Sequence, residues 1–297
     1  MKITLRQLEV FVAVATHGGV TRAAGNVALT QAAASMALAD LERQLGVPLF
    51  DRLGRELRLN EHGRLLLERA RDVLARARDL EHLAQAGAAG FELHLGASVT
   101  IGNHLLPPLI ARMKRSFPQA KIHFSRFNSE QVLAQLRGLR IDIGFVEGVA
   151  ADDGEILRYP WQQDSLQFFA APGHPLAGRS FAPTALEAFD WIVRERGSGT
   201  RAVMEQACRL QGVVPQVAFE LEQPEAIRQC VRAGLGIGCL SQLELADAFA
   251  AGSLVPLAAA GLEMPRQLEI VLHRRKYIGQ GLAAVLRECG IDVDAMH

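Results

Sequence analysis

Residues 21–59 read TRAAGNVALTQAAASMALADLERQLGVPLFDRLGRELRL. Two short helices on a tight turn, followed by a turn-rich basic segment, account for this pattern. Ala23, Ala24 and Val27 give the first helix an apolar face, and Thr21 is placed to cap it. Thr30 stands where the second helix begins. A hydroxyl there satisfies one of the free backbone N–H groups, worth roughly 1 kcal/mol. Ala34, Leu38, Leu41 and Leu45 recur at helical spacing and predict the buried stripe. Gln31, Ala32, Ser35, Met36 and Ala39 fall on the other side. Gly46 and Pro48 stop the helix, and Arg52, Arg55 and Arg58 follow where a wing would form.

A helical hairpin inside an all-α core would show the same stripe. Two features favour a DNA-reading helix-turn-helix. The outward face carries small and amide side chains, whereas a helix facing only water usually carries a mixture of glutamate and lysine. The arginines cluster directly afterwards, where phosphates would lie.

Composition sets the outer limits. A chain of 297 residues is long enough for two domains and a large core. Lys+Arg and Asp+Glu both number 32, which counts against a nonspecific polyelectrolyte binder and leaves local charge to decide. Cys208, Cys230, Cys239 and Cys289 show no CxxC spacing and read as free thiols in a reducing compartment, with no metal site. The N-terminus lacks a charged-then-apolar signal pattern, and no apolar run reaches spanning length. The expectation is a cytoplasmic protein with no membrane partner.

Residues 62–90, HGRLLLERARDVLARARDLEHLAQAGAAG, predict one long helix ended by Gly87 and Gly90. Leu66, Ala70, Val73, Ala77, Leu80 and Ala84 step along it as a heptad seam. A helix packed only on its own domain usually shows a wider apolar face, so the seam favours self-association.

From Phe91 short apolar strands alternate with helices. FELHLGAS, KIHFSRF, IDIGFVEG, LQFFAAP, WIVRE, VAFELE and LEIVLH read as strands, and NHLLPPLIARMKRSF, SEQVLAQLRG, TRAVMEQACRL, PEAIRQCVRAG and GQGLAAVLREC as helices. The alternation predicts parallel sheets flanked by helices, and the number of strands predicts two sheets with a cleft between them. Ligands of such folds bind where strand ends meet helix starts. The loops placed there contain Ser98 and Thr100, Asn128 and Ser129, Glu147 and Gly148, and Arg196-Gly197-Ser198-Gly199-Thr200-Arg201. Each hydroxyl alone could be a helix cap. Together, Ser98, Thr100, Asn128, Glu147, Ser198, Thr200 and Arg201 are the candidate ligand residues. The GSGTR loop offers free N–H groups and a guanidinium to an anion.

Other motifs fail. Gly234-Leu235-Gly236-Ile237-Gly238 follows a helix and has Cys239 in place of a third glycine, so it reads as a turn into a buried strand. His104 lies near the Ser98–Thr100 loop, where a packing role is favoured over a ligand role. No paired carboxylates or triad supports catalysis, so no catalytic residue and no resident cofactor are expected.

The stretch LRQLEVFVAVATHGGVTRAAGNVALTQAAASMALADLERQLGVPLFDRLGRELRLNEHG, residues 5–63, resembles the LysR-type transcriptional regulators, most specifically in ADLERQLGVPLFDR. The resemblance covers the whole chain. It implies an α+β multidomain fold: a winged helix-turn-helix over 1–62, a linker helix over 63–90, and a two-lobed α/β effector domain over 91–297. That domain resembles periplasmic solute-binding proteins, with lobe I at about 91–162 and 268–297 and lobe II at about 163–267. The resemblance further implies an antiparallel dimer through the long helix, pairing into tetramers, and an effector that alters DNA bending and RNA polymerase contact. Many members have proline at position 32 and a basic or polar residue at 36, where this chain has Ala32 and Met36. Gln31 and Ser35 are therefore expected to carry polar base readout, with Ala32 and Met36 on thymine methyls. Asn60-Glu61-His62-Gly63 stands where Thr-x-Ala-Gly is usual. TIGNHLLP and Arg194–Arg201 are similar to the branch regulating carbon-fixation and sulfur-assimilation genes. This suggests a sulfur oxyanion or a phosphorylated metabolite as effector, with a small organic carboxylate an equal alternative. The competing reading is a solute-binding or sensory module whose N-terminal domain contacts protein.

Overall fold

Thr4 opens the first helix with a reciprocal cap: its hydroxyl accepts from Gln7 N–H at 3.2 Å, and the Gln7 side chain accepts from Thr4 N–H at 2.9 Å. The computed structural model describes residues 3–53, 56–85, 90–147 and 154–293. Arg55, Gly87 and Gly148 lie outside them, as do the side chains of Arg52 and Ala84. The chain forms two compact units, Met1–Phe91 with Lys276–Gln280 and Glu92–Arg275 with Gly281–His297.

The first unit runs α1 Leu5–His17, α2 Val20–Asn26, α3 Gln31–Leu45, a hairpin of β1 Phe50–Leu53 and β2 Glu56–Leu59, then α4 Glu61–Gln85. Its core joins Val10, Phe11 and Val14 of α1 to Ala23 of α2, Ala34, Leu38 and Leu41 of α3, and Leu49. Thr21 does not cap α2. Gly18 ends α1 in the left-handed conformation and Gly19 starts α2 at once, so Thr21 already lies within the helix. The seam on α4 also divides. Ala70 and Leu74 are buried in this core, with Leu66 and Leu67 packed against it, while Leu65, Val73 and Leu80 are 63%, 43% and 71% exposed. The reason is that α4 lies along α1, which takes up the face running through Ala70 and Leu74.

The second unit contains β3 Glu92–Ser98, α5 Val99–His104, α6 Leu106–Ser116, β4 Lys121–Phe127, α7 Ser129–Arg137, β5 Ile143–Glu147 and β6 Ile156–Ala170. There follow β7 Ser180–Phe181, a 3-10 turn Pro183–Ala188, β8 Trp191–Arg194, α8 Gly199–Leu210, β9 Val217–Leu221, α9 Pro224–Arg232 and β10 Ile237–Ser241. The unit closes with α10 Gln242–Ala250, β11 Val255–Pro256, β12 Ala258–Ala259, β13 Met264–His273 and α11 Gln280–Glu288. The expected single helix over 103–117 is two helices that meet at Leu105, and Thr100 to Asn103 are helical.

Two separate parallel sheets are not what forms. One sheet runs β4-β3-β5-β13-β6-β10-β8-β9. It is parallel at each end (β4, β3 and β5; β10, β8 and β9) and antiparallel in the middle. Two long strands, β6 and β13, pair along their lengths and serve both halves. Where the halves join, the register shifts: Leu268 faces Gln162 and Glu269 faces Pro160, leaving Trp161 as the extra residue. A proline within a strand falls at such a bulge because it cannot donate to the ladder. The Trp161 ring meets Phe145 edge-on, with centroids 5.2 Å apart. All four cysteines are free, and burial pushes the Cys208 thiol up to about 11.

Candidate functional sites

The outward face of α3 is open. Thr30 caps the helix by accepting from Ala33 N–H at 3.2 Å. Gln31, Ala32 and Ser35 are exposed, and Met36 is 65% exposed, whereas Ala34 and Leu41 on the opposite stripe are fully buried. The turn before it places Ala28 in the left-handed region, at φ 49°. Arg52 and Arg58 sit on the two strands of the hairpin, Arg58 exposed and opposite Asp51.

In the second unit, loops from the two halves of the sheet meet around a cavity of about 590 Å³. Glu147, Ser198 and Arg201 line it with Ser129, Glu130, Arg137 and Arg196. Ser98, Thr100 and Thr200 are fully buried, each 1% exposed, and like Asn128 do not line it. The Ser98 hydroxyl has no hydrogen-bond partner among the described residues. Ser198 begins α8 without a side-chain cap bond, so the first N–H groups of that helix keep their donor capacity. Gly199 lets the chain approach: a Cβ there would sit 2.0 Å from the Glu147 carbonyl oxygen.

Asn128 serves two purposes. It caps α7 by accepting from Gln131 N–H at 2.9 Å and donates across the cleft to the Arg196 carbonyl at 3.3 Å. Glu147 accepts from the Ser129 hydroxyl at 3.2 Å. Arg201 lines the cavity, but its guanidinium donates to Glu205, Glu220 and the Arg194 carbonyl. Its grip is spent on protein oxygens.

The charge that organises the cleft comes from Arg266, which sequence reading missed. Arg266 is 4% exposed and donates to Asp164 Oδ2 at 2.7 Å and to the Thr200 hydroxyl at 2.9 Å. It lies 3.6 Å from Glu147. The Ser241 hydroxyl donates to the other Asp164 oxygen at 2.8 Å. Strands β5, β6 and β13, the start of α8 and the end of β10 are thus tied at one point.

His104 takes the packing role. Its Nε2 lies 3.0 Å from Glu244, which also accepts from Asn103 at 3.4 Å, so α5 is strapped to α10. The hydrogen bond that the His104 N–H donates to Glu244 raises the His104 pKa, against desolvation and Arg228, with Asp247 adding to the rise. A folded-state pKa above the unfolded value stabilises fully below about pH 6.5, and the contribution is lost as pH rises through the folded value. His104→Gln is expected to flatten the fall in melting temperature above that pH. Equal slopes in both proteins would remove the strap from the account.

An exposed helix-turn-helix face with a hairpin behind it, together with a two-lobed unit enclosing a polar cleft, defines a ligand-responsive DNA-binding regulator. The chain matches the bacterial regulatory helix-turn-helix family of the lysR type over residues 5–64 and the LysR substrate binding domain over 86–290. It belongs to the LysR family of transcriptional regulators. It is 43% identical to the uncharacterized HTH-type transcriptional regulator YeiE of Escherichia coli K12, over 97% of this chain and 98% of that one. It is 32% identical to the RuBisCO operon transcriptional regulator of Allochromatium vinosum, over 96% and 94%. The CcmR regulatory domain of Synechocystis, solved in complex with 2-PG, superposes with a TM-score of 0.62 at 27% identity, covering 68% of this chain and 96% of that one. No described helix is long and apolar enough to cross a membrane.

Proposed function

We propose that α3 lies in the major groove of a double-stranded operator. Gln31 and Ser35 hydrogen-bond base edges, Ala32 and Met36 pack on thymine methyls, and Thr30 fixes the helix start. Arg52, Arg55 and Arg58 contact phosphates on either side. The observation that carries this reading is the Met36 side chain, 65% exposed on a face of small and amide residues. A large apolar side chain open to water at a helix start is what a thymine methyl would cover. Binding to a duplex from the gene's own upstream region tests it. At physiological salt that duplex should be preferred over unrelated DNA by a factor of at least about 10³, and equal binding to both would refute operator recognition.

The effector is a small molecule with an anionic group, held between the lobes by Ser198 and the first N–H groups of α8 beside Glu147, with Asn128 bracing the Arg196 carbonyl and the buried Ser98, Thr100 and Thr200 supporting the loops without touching it. Supporting this are the uncapped start of α8 at the cavity and the 2-PG held by the CcmR domain. Arg201 acts by anchoring the loop through its carboxylate partners. The domain limits are 1–62, 63–90 and 91–297, with the lobes dividing where β6 and β13 change register. The protein works in the cytoplasm and contacts RNA polymerase.

Self-association completes the proposal. Leu65, Val73 and Leu80 stand out from α4 at spacings of eight and seven residues, and a partner helix would cover them. Leu210, Val214, Val217 and Phe219 form a second exposed apolar group, between 44% and 79% open, at the β9 end of the sheet. Two such surfaces suit a dimer that pairs into a tetramer. Val73→Glu with Leu80→Glu is expected to reduce the mass in sedimentation, and an unchanged mass would exclude the α4 interface.

A further inference from the structure

The first two strands of the second unit bring three ligand-type side chains to one face. Side chains alternate along a strand, so Glu92 and His94 project to the same side of β3. Parallel pairing sets His94 opposite His123 on β4. The two imidazoles stack with centroids 4.6 Å apart and planes at 12°. Glu92 Oε1 lies 3.3 Å from His123 Nε2 and 3.9 Å from His94 Nε2. One ligand atom from each residue lies within 4.8 Å of the others, and all three residues are exposed. Among the described residues no other group of His, Cys, Asp and Glu converges in this way.

We propose that Glu92, His94 and His123 form a surface site for a divalent transition-metal ion of the zinc type. Donors about 2.0–2.2 Å from a tetrahedral ion stand about 3.3 Å apart. Glu92 and His123 already have that spacing. Glu92 and His94 reach it by closing about 0.6 Å, and the two stacked imidazoles must rotate out of parallel so that both lone pairs meet at one ion. Two imidazoles and one carboxylate suit zinc, nickel or copper, whereas calcium and magnesium take all-oxygen shells. A neighbouring carboxylate also points to a metal. Asp142 Oδ2 accepts from the His94 backbone N–H at 2.7 Å and stands 3.6 Å from His94 Nδ1. Closing that gap to hydrogen-bond distance would hold the Nδ1–H tautomer and direct Nε2 to the ion. Water completes the coordination. Because β4 is the edge of the sheet, a bound ion would cross-link the start of β3 to that edge. This site is independent of the operator and effector readings.

The test uses the full chain, stripped with a chelator and titrated with Zn²⁺ by calorimetry and with Cu²⁺ by electron paramagnetic resonance. The expected result is one Zn²⁺ per chain at micromolar Kd and a copper spectrum coupled to two nitrogens. His123→Ala should weaken zinc binding at least about tenfold and leave one coupled nitrogen, Glu92→Gln should also weaken binding, and Asp142→Asn should weaken it about tenfold. Glu92 and His123 are exposed, so their variants should melt with the wild type in chelator. The proposal fails if His123→Ala binds zinc as the wild type does. It fails equally if the wild-type Kd is millimolar, or if the copper spectrum is the same in both proteins, which would mark the cluster as hydrogen-bonded only.

Discussion

Replacing Arg266 with methionine is expected to destabilise the second unit by about 3–5 kcal/mol, because it strands buried carboxylates. Asp164 and Glu147 have side chains only 2% exposed, and the Arg266 guanidinium is the cation they share. Without it, their charges stay in a low-dielectric interior with hydroxyl donors alone. Adding Asp164→Asn and Glu147→Gln to the same protein should recover part of the loss, since the variant then buries no uncompensated charge. Urea unfolding followed at the transition of the second unit reads both effects. A loss below about 1 kcal/mol would mean that water reaches the carboxylates and that Arg266 does not organise the cleft.

Gly199→Ala should act on the same cleft by steric means. Its Cβ would stand 2.0 Å from the Glu147 carbonyl oxygen and 2.8 Å from the carbonyl carbon, and backbone cannot turn aside as a flexible side chain can. Either α8 or the end of β5 must move. Overpacking of this kind costs about 1–3 kcal/mol. The larger consequence is local, because Thr200 and Ser198 flank Gly199 and would shift with it. Hydrogen exchange should quicken at the start of α8 and the end of β5, and effector-induced stabilisation should be lost. Unchanged exchange at both ends would show that α8 does not press on the Glu147 carbonyl.

Much of this was legible because it is local. The period of Ala34, Leu38 and Leu41 identifies which side of α3 is buried, and Thr30 marks where the helix starts. Gly234 to Gly238 reads as a turn into a strand because a helix precedes it, and β10 follows. The misses have physical causes. The strand expected at LQFFAAP begins ten residues earlier, because β6 starts at Ile156 and runs through the polar PWQQDS with a bulge that accommodates Pro160. Arg266 and Asp164 lie on strands separated by about a hundred residues of chain, and no pattern in either strand marks them as partners. The heptad steps on α4 are real, but which of them stay open depends on α1, and spacing alone does not report that. Arg201 carries the charge expected of an anion ligand; Glu205 stands four residues on along the same helix, but only the fold brings Glu220 to occupy the guanidinium as well.

Base reading by α3 is decided by comparing wild type and Gln31→Ala on a panel of operators, each altered at one base pair. Loss of a side chain that reads a base edge removes about 1–3 kcal/mol of discrimination at one position and leaves the others unchanged. That result is expected. A uniform loss on every duplex, with the preference at each position intact, would place Gln31 on the sugar-phosphate backbone and contradict base reading by the open face of α3.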